Sequence, residues 1–254
     1  MTASGSRITN PQTPVLAVKN VSNIYVSRSM GIFGRKEEKP VLKNVSLEIN
    51  RGEIFGLAGE SGSGKTTLGR CILGLLDYSG EIIIDNAPAD SLKKTKTGRY
   101  TKLERARRLG AVFQDPGGAL NPVKRTGWLL EEPLRIHNIG TGYEREIQVD
   151  RMLDLIGLDP SYKKRFPAEL SSGQKQRVSI GCALMLKPGL LIADEPVSAL
   201  DVSTGAQIIN LFRDLNETLG LSMLFISHNI NLVNYLCDRV AFMENGKITG
   251  YAVS

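Results

Sequence analysis

A chain of 254 residues, 41% hydrophobic and 23% charged, has the length for one large domain or two small ones, and it can bury a core without disulfide or metal staples. Its net charge of +6 comes from one stretch: Ser91–Arg108 carries +7 and the remainder −1, so composition offers no chain-wide basic surface for nucleic acid. Cys71, Cys182 and Cys237 lie far apart without metal-ligand spacing and read as buried free thiols of a reducing compartment, and Met1–Pro14 has no apolar signal segment.

After a loose tail over residues 1–14, Leu16–Val26 is rich in Val, Ile and Tyr and reads as one or two strands. Arg28–Pro40 is a glycine-bearing charged insertion, a loop or long hairpin tip. Val45, Leu47 and Ile49 alternate with polar residues, as in a half-buried strand leading to a turn at Arg51-Gly52. The apolar run Glu53–Ala58 reads as a buried strand. Directly after it, Gly59-Glu60-Ser61-Gly62-Ser63-Gly64-Lys65-Thr66-Thr67 fits G-x-x-x-x-G-K-[ST], the phosphate-binding P-loop. Helical spacing at Leu68, Cys71, Ile72 and Leu75 predicts a helix from Lys65 to Leu76. Strand, glycine loop, helix is the context that turns the motif into a nucleotide site. Gly62 and Gly64 let successive N–H groups curl inward onto phosphate oxygens, and the helix N-terminus adds about half a positive charge. Lys65 is then placed to bridge the β- and γ-phosphates and the Thr66 hydroxyl to ligate Mg²⁺.

Gly80 precedes a strand at Glu81–Asp85. The basic segment 91–108 has one aromatic, Tyr100, and no nucleic-acid reader motif. It reads as a solvated basic helix, with contact to a partner or an anionic membrane surface as the alternative. Leu109–Phe113 is an apolar strand ending at Gln114. Residues 115–188 then turn helical: Val149, Met152, Leu153 and Ile156 fall on one helix face with Gly157 as C′ cap, and Val178, Gly181, Cys182 and Met185 repeat the spacing before Pro188. Leu190–Ala193 is a buried strand ending at Asp194-Glu195. Ile208, Leu211, Phe212 and Leu215 mark an amphipathic helix that Gly220 can cap, and Leu221–Ile226 is a strand ending at Ser227-His228. Thr218–Cys237 carries no formal charge, but Ser227, His228, Asn229, Asn231 and Asn234 make it too polar for a membrane span. Asn245-Gly246 between Arg239–Glu244 and Lys247–Ala252 signals a hairpin. The expected fold is a parallel-rich α/β core, residues 15–114 and 189–254, beside an antiparallel β layer, with a helical subdomain over 115–188 inserted in a single domain.

A carboxylate ending a buried strand beside a P-loop can hold Mg²⁺ through water, which is the Walker-B placement of Asp194. Its neighbour Glu195 can act as general base on the attacking water. Lys65, Gln114, Asp194-Glu195 and His228 all fall at strand C-termini, where open α/β sheets bind ligands. Leu170-Ser171-Ser172-Gly173-Gln174 precedes a helix and taken alone is an N-cap; Ser198-Ala199-Leu200-Asp201 follows the Asp194-Glu195 pair closely.

This ordered set, Gly59–Thr67, Gln114, Leu170–Gln174, Leu190–Glu195, Ser198–Asp201 and Ser227-His228, resembles the ATP-binding-cassette (ABC) ATPases over nearly the whole chain from Leu16 onward. The resemblance implies an ATP-hydrolysing subunit using Mg²⁺ held by Thr66, Gln114 and Asp194. Gly59, Ser61, Gly62, Ser63, Gly64, Lys65, Thr66 and Thr67 would grip ATP. Tyr25 would stack on adenine, although it is equally a lone strand tyrosine, and Gln114 and His228 would sense the γ-phosphate. Ser171, Gly173 and Gln174 would bind ATP held by a second subunit, identical or paralogous, with Asp201 working across that interface. The family further implies membrane permease partners docked at residues 115–170, a binding protein outside the membrane, a place on the cytoplasmic face, and no nucleic acid. Met30–Lys39, Val112–Pro116 followed by Leu120-Asn121-Pro122, and Ser227–Asn229 followed by Cys237–Val240 look like the branch that imports peptides and nickel. Rival readings are an ABC exporter and a non-transport ABC ATPase of DNA repair or translation. Ser172 departs from the usual signature glycine, a departure that matters if that backbone needs positive φ.

Overall fold

The structure, a computed structural model, describes residues 14–28, 36–89, 99–115, 118 and 120–253. Two sheets share the molecule. The four-stranded sheet is antiparallel, in the order β2-β1-β4-β5, from β1 (Leu16–Arg28), β2 (Lys36–Ile49), β4 (Ser79–Ile84) and β5 (Ala87–Pro88). β1 is one strand bent by register shifts between Val18 and Ile24, and its pairing with β2 runs out to Arg28↔Lys36. The described flanks of the charged insertion are therefore paired strand, and its residues 29–35 lie outside the described part.

The larger sheet has the order β10-β9-β3-β8-β7-β6, from β3 (Ile54–Ala58), β6 (Leu109–Val112), β7 (Leu190–Asp194), β8 (Ser222–Ser227), β9 (Arg239–Glu244) and β10 (Lys247–Val253). All neighbours pair in parallel except β9 and β10, the hairpin turned by Asn245 (φ 49) and Gly246 (φ 79). The central strands are continuous apolar runs because both faces are covered. Phe55, Leu57, Leu190, Ile192, Leu224 and Ile226 point to one side, against α1 (Lys65–Ile72) and the antiparallel sheet. The alternate residues Ile54, Leu191, Ala193, Met223 and Phe225 face the remaining helices.

Those helices are α3 (Thr126–Ile136), α4 (Gly142–Leu155), α5 (Ser172–Leu184), α6 (Val202–Leu219) and α7 (Ile230–Leu236), while α2 (Arg99–Arg108) leads into β6. Leu130, Leu153, Val178, Ile180, Ile208, Phe212 and Val233 form the buried layer between them and the sheet, and Phe212 meets Phe225 edge-on at 6.0 Å. Each such side chain contributes about 1.5–3 kcal/mol by leaving water. Helix ends follow local chemistry: Thr141 and Glu144 form a capping box for α4, Gly157 (φ 66) follows its end, Asp201 caps α6, and Gly220 (φ 63) stops it.

Two expectations are corrected. The helix after the P-loop ends at Ile72, and Leu75 is 63% exposed, because Gly74 (φ 72) turns the chain. The C-terminal half of the basic segment is only partly solvated: Glu104, Ala106 and Arg107 are exposed, but its arginines are engaged. Arg105 is buried beside Gly74 with Nη2 donating to Ala89 O (2.7 Å), Arg107 Nε donates to His137 Nδ1 (3.1 Å), and Arg108 Nη1 donates to Ile84 O (3.3 Å). Lys93, Lys94 and Lys96 lie outside the described residues. Among the described residues no helix is long and apolar enough to cross a membrane, and Thr218–Cys237 is divided among the end of α6, β8 and α7.

Candidate active site

The loop between β3 and α1 turns through Gly59 (φ 156), Gly62 (φ 82) and Gly64 (φ 111). Gly59 cannot be replaced: a Cβ there would sit 2.2 Å from Met243 O. Gly246 N donates to Ser63 O (2.9 Å), so the β9–β10 turn holds the loop from behind. α1 has no side-chain N-cap and no acid in its first turn, which leaves its leading N–H groups for an anion. Lys65 is buried, and its Nζ donates to Gly59 O (2.7 Å) and Glu60 O (2.8 Å). Burial pulls its ammonium below the usual lysine range, against the opposing pull of Glu195 and Asp194.

Thr66 Oγ1 donates to Asp194 Oδ1 at 3.0 Å. Asp194 ends β7 in the interior, and burial lifts its carboxyl above the usual range while the Thr66 hydrogen bond lowers it. Glu195 takes φ 51, an uncommon conformation for a non-glycine residue. It is held there by Glu195 N donating to Ile226 O (2.9 Å) and by Ser198 Oγ donating to Glu195 O (3.0 Å). Its Oε1 accepts from His228 N (3.0 Å) and lies 2.8 Å from His228 Nδ1. A carboxylate only accepts, so Nδ1 carries the proton in this contact. Gln114, two residues past β6, joins Ser61, Gly62, Gly64, Lys65, Thr66, Thr67, Glu195 and His228 around one cleft of about 350 Å³.

That cleft brings together most of the expected site. Gly59 and Ser63 belong to the same loop, and Ser63 Oγ is buried without a hydrogen-bond partner. Val41 lines the cleft and was not foreseen; the hairpin packing that places it there leaves no local sequence signal. Tyr25 does not line it: it is 63% exposed on β1, paired with Lys39.

The signature residues lie elsewhere. Ser171, Gly173 and Gln174 line a second cleft of about 380 Å³ with Tyr162, Arg177 and Thr204. Ser171 Oγ accepts from Gln174 N (3.3 Å), Gln174 Oε1 accepts from Ser171 N (3.0 Å), and Gln174 Nε2 donates to Tyr162 Oη (2.9 Å). A Cβ on Gly173 would meet Thr204 Cγ2 at 2.4 Å, so any larger residue there requires the Thr204 side chain to move. Asp201 Oδ1 accepts from Thr204 N (2.9 Å), and the hydrogen bonds from Thr204 hold its carboxyl below the usual range. Ser172 opens α5 and is not among the positive-φ residues, so its departure from glycine carries no backbone strain. Within one chain the two clefts share no residue.

One further group was not foreseen. Glu53, buried at the start of β3, accepts from Arg239 Nε (2.5 Å) and Arg239 Nη2 (3.1 Å), and Asp238 Oδ2 accepts from Ile54 N (2.8 Å). The Cys237–Val240 stretch thus ties β9 to β3 behind the P-loop.

Residues 42–198 match the ABC transporter family. A protein of Brucella ovis named as a peptide import ATP-binding protein is 43% identical over 244 residues, 96% of this chain and 73% of its own length. The oligopeptide transport ATP-binding protein AppF of Bacillus subtilis is 40% identical over 239 residues, 93% and 71% respectively. Among solved structures, the dimeric ATP-binding cassette MJ0796, in a post-hydrolysis state bound to ADP and Pi, superposes with a TM-score of 0.79 at 32% identity, covering 94% of this chain and 98% of that one. The cbiO1 cassette of Clostridium perfringens gives 0.80 at 28% identity, covering 95% and 89%. With the P-loop, Asp194, Glu195 and His228 gathered at one end of the sheet, the chain belongs to the ABC transporter family and is one of its ATPases.

Proposed function

We propose that this chain is the ATPase subunit of a peptide importer, working as a head-to-tail dimer with itself or a paralogue on the cytoplasmic face of the membrane. The observation that carries the catalytic part is the convergence of Lys65, Thr66 and the Glu195–His228 pair on one cleft, with Asp194 held behind it by the Thr66 hydroxyl. The peptide substrate rests on relatives that carry peptide-import names. Those relatives are named for peptide import and oligopeptide transport, not for nickel, export, repair or translation.

The P-loop N–H groups and Lys65 would hold the phosphates, with the buried Ser63 hydroxyl available to them. Thr66 Oγ1 and Asp194 Oδ1 are hard oxygen donors 3.0 Å apart and would hold Mg²⁺ together, Asp194 through water. Among the described residues no three His, Cys, Asp or Glu gather into a metal cage, so Mg²⁺ would take its other ligands from Gln114, phosphate and water. Bound there, it would neutralise charge on the β- and γ-phosphates. Glu195 would accept a proton from the water that attacks the γ-phosphorus as the bond to the ADP oxygen breaks, and His228 would orient that carboxylate and reach the γ-phosphate. Ser171, Gly173 and Gln174 would meet the ATP of the second subunit, with Asp201 at that interface. Tyr25, exposed on β1, would stack on adenine. The helices within residues 115–188 would form the inserted subdomain, and residues 115–170 the permease contact.

A strain lacking this chain should lose uptake of labelled di- and oligopeptides and regain it with the wild type but not with Glu195→Gln. Unchanged peptide uptake together with lost nickel uptake would contradict the substrate assignment.

A further inference from the structure

We propose that a second cavity, at the end of the large sheet opposite the P-loop, binds an amphipathic anion: an apolar chain ending in a carboxylate. The cavity holds about 500 Å³, within the roughly 300–1,000 Å³ of small-molecule sites. It is lined by Gly189, Leu221 and Ser222, which lie at the N-terminal ends of β7 and β8, whereas Asp194 and Ser227 end those strands on the nucleotide side. The two sites are separate.

Its floor is apolar. Met152 and Leu155 come from α4, Leu184 and Met185 from the end of α5, and Leu219 from the end of α6. Leu219 is 50% exposed, so this surface stands open to solvent, and the two methionines can adapt to an apolar chain.

Its lining charges are cationic, and the Asp85 carboxylate lies beside Arg51 and Gly189. Arg51, Arg151 and Lys187 line the cavity and no Asp or Glu does. Arg51 is engaged by Asp85 at 2.7 Å, but among the described residues Arg151 and Lys187 have no ion-pair partner. Nor are they needed for the carbonyls at the neighbouring helix ends. Leu184 O accepts from Lys187 N (2.8 Å), Asn216 O from Gly220 N (2.9 Å) and Leu221 O from Asn216 Nδ2 (2.8 Å). Arg151 and Lys187 are exposed at its rim, so a neutral apolar ligand would gain nothing from them, a cationic one would be repelled, and a bare phosphate would not use the floor. An acyl chain with a single anionic head satisfies both halves of the cavity.

The proposal does not rest on the importer reading and is tested on the chain itself. Of the six methionines, Met152 and Met185 line the cavity while Met243 lies on β9, so ¹³C-methyl-methionine NMR reports occupancy directly. Dodecanoate below its micellar concentration should shift Met152 and Met185 saturably and leave Met243 in place. Dodecyltrimethylammonium and dodecyl maltoside, with the same chain, should bind at least about tenfold more weakly, as should dodecanoate to the Arg151→Glu/Lys187→Glu variant. The milder Arg151→Gln/Lys187→Gln variant, which adds no new charge, should fall between. ATP affinity should not change in either variant. Equal affinity for all three head groups, unchanged affinity in both variants, or absence of saturable shifts at Met152 and Met185 would overturn the assignment.

Discussion

Replacing Glu195 by Gln removes the proton acceptor while keeping the shape of the site. Glu195 Oε1 accepts from His228 N and lies against His228 Nδ1–H. The Gln carbonyl oxygen can accept both. Backbone anchoring of the φ 51 conformation by Ile226 O and the Ser198 hydroxyl does not involve the side chain at all. What is lost is the ability to take a proton from the attacking water, worth about 10²–10⁴-fold in rate, or about 2.7–5.4 kcal/mol at 1.36 kcal/mol per decade. One negative charge also leaves the neighbourhood of the phosphates, which favours retention of ATP. Single-turnover hydrolysis of bound ATP, measured in the assembled transporter with matched ATP occupancy, should therefore fall by at least about 10²-fold while ATP affinity holds or rises. Wild-type turnover in that assay would refute the general-base role. A fall caused entirely by lost ATP binding would refute the claim that the site's shape survives.

Arg239→Ala strands the buried Glu53 carboxylate. A fully buried pair loses about 3–5 kcal/mol when broken, and since Arg239 is 35% exposed the expected loss is about 2–3 kcal/mol, a fall in Tm of about 4–12 °C by calorimetry. Adding Glu53→Gln should recover part of it. Ser172→Gly should change stability by less than about 1 kcal/mol in urea titration and leave ATP turnover within about twofold, because residue 172 is helical. His137 is held below the usual histidine range by burial and then by the Arg107 guanidinium. Protonation therefore favours the unfolded chain. Its contribution is fully present above the unfolded value of 6.5 and is lost as pH falls through the lower folded value. Urea midpoints of wild type and His137→Gln should run parallel above pH 7 and draw together as pH falls below 6.5.

The P-loop was legible in the sequence because its chemistry is local: three glycines, a lysine and a threonine act within nine consecutive residues. The strands carrying Asp194 and His228 were legible as apolar runs, since a sheet covered on both faces needs them. What stayed hidden depends on partners distant in sequence. Leu75 kept the helical spacing, yet Gly74 breaks the helix and Arg105 fills the space beside it. Nothing in a run of Arg and Lys tells the arginine that caps Ala89 O from one in solvent. Glu53 and Arg239 are 186 residues apart, and Val41 reaches the cleft only because β2 packs beside the P-loop. The cost of Ser172 turned on one dihedral angle, which only the structure shows to be helical.

A working site should need the P-loop cleft of one chain and the signature cleft of another, since within one chain the two clefts share no residue. Mixing two inactive variants tests this directly. Lys65→Ala disables only the P-loop cleft and Ser171→Arg only the signature cleft. A mixed dimer then contains one site with both lesions and one with neither. The mixture should hydrolyse ATP well above the sum of the two variants measured alone, saturating as mixed dimers form. A mixture no more active than that sum, with dimers of the two variants confirmed, would contradict it.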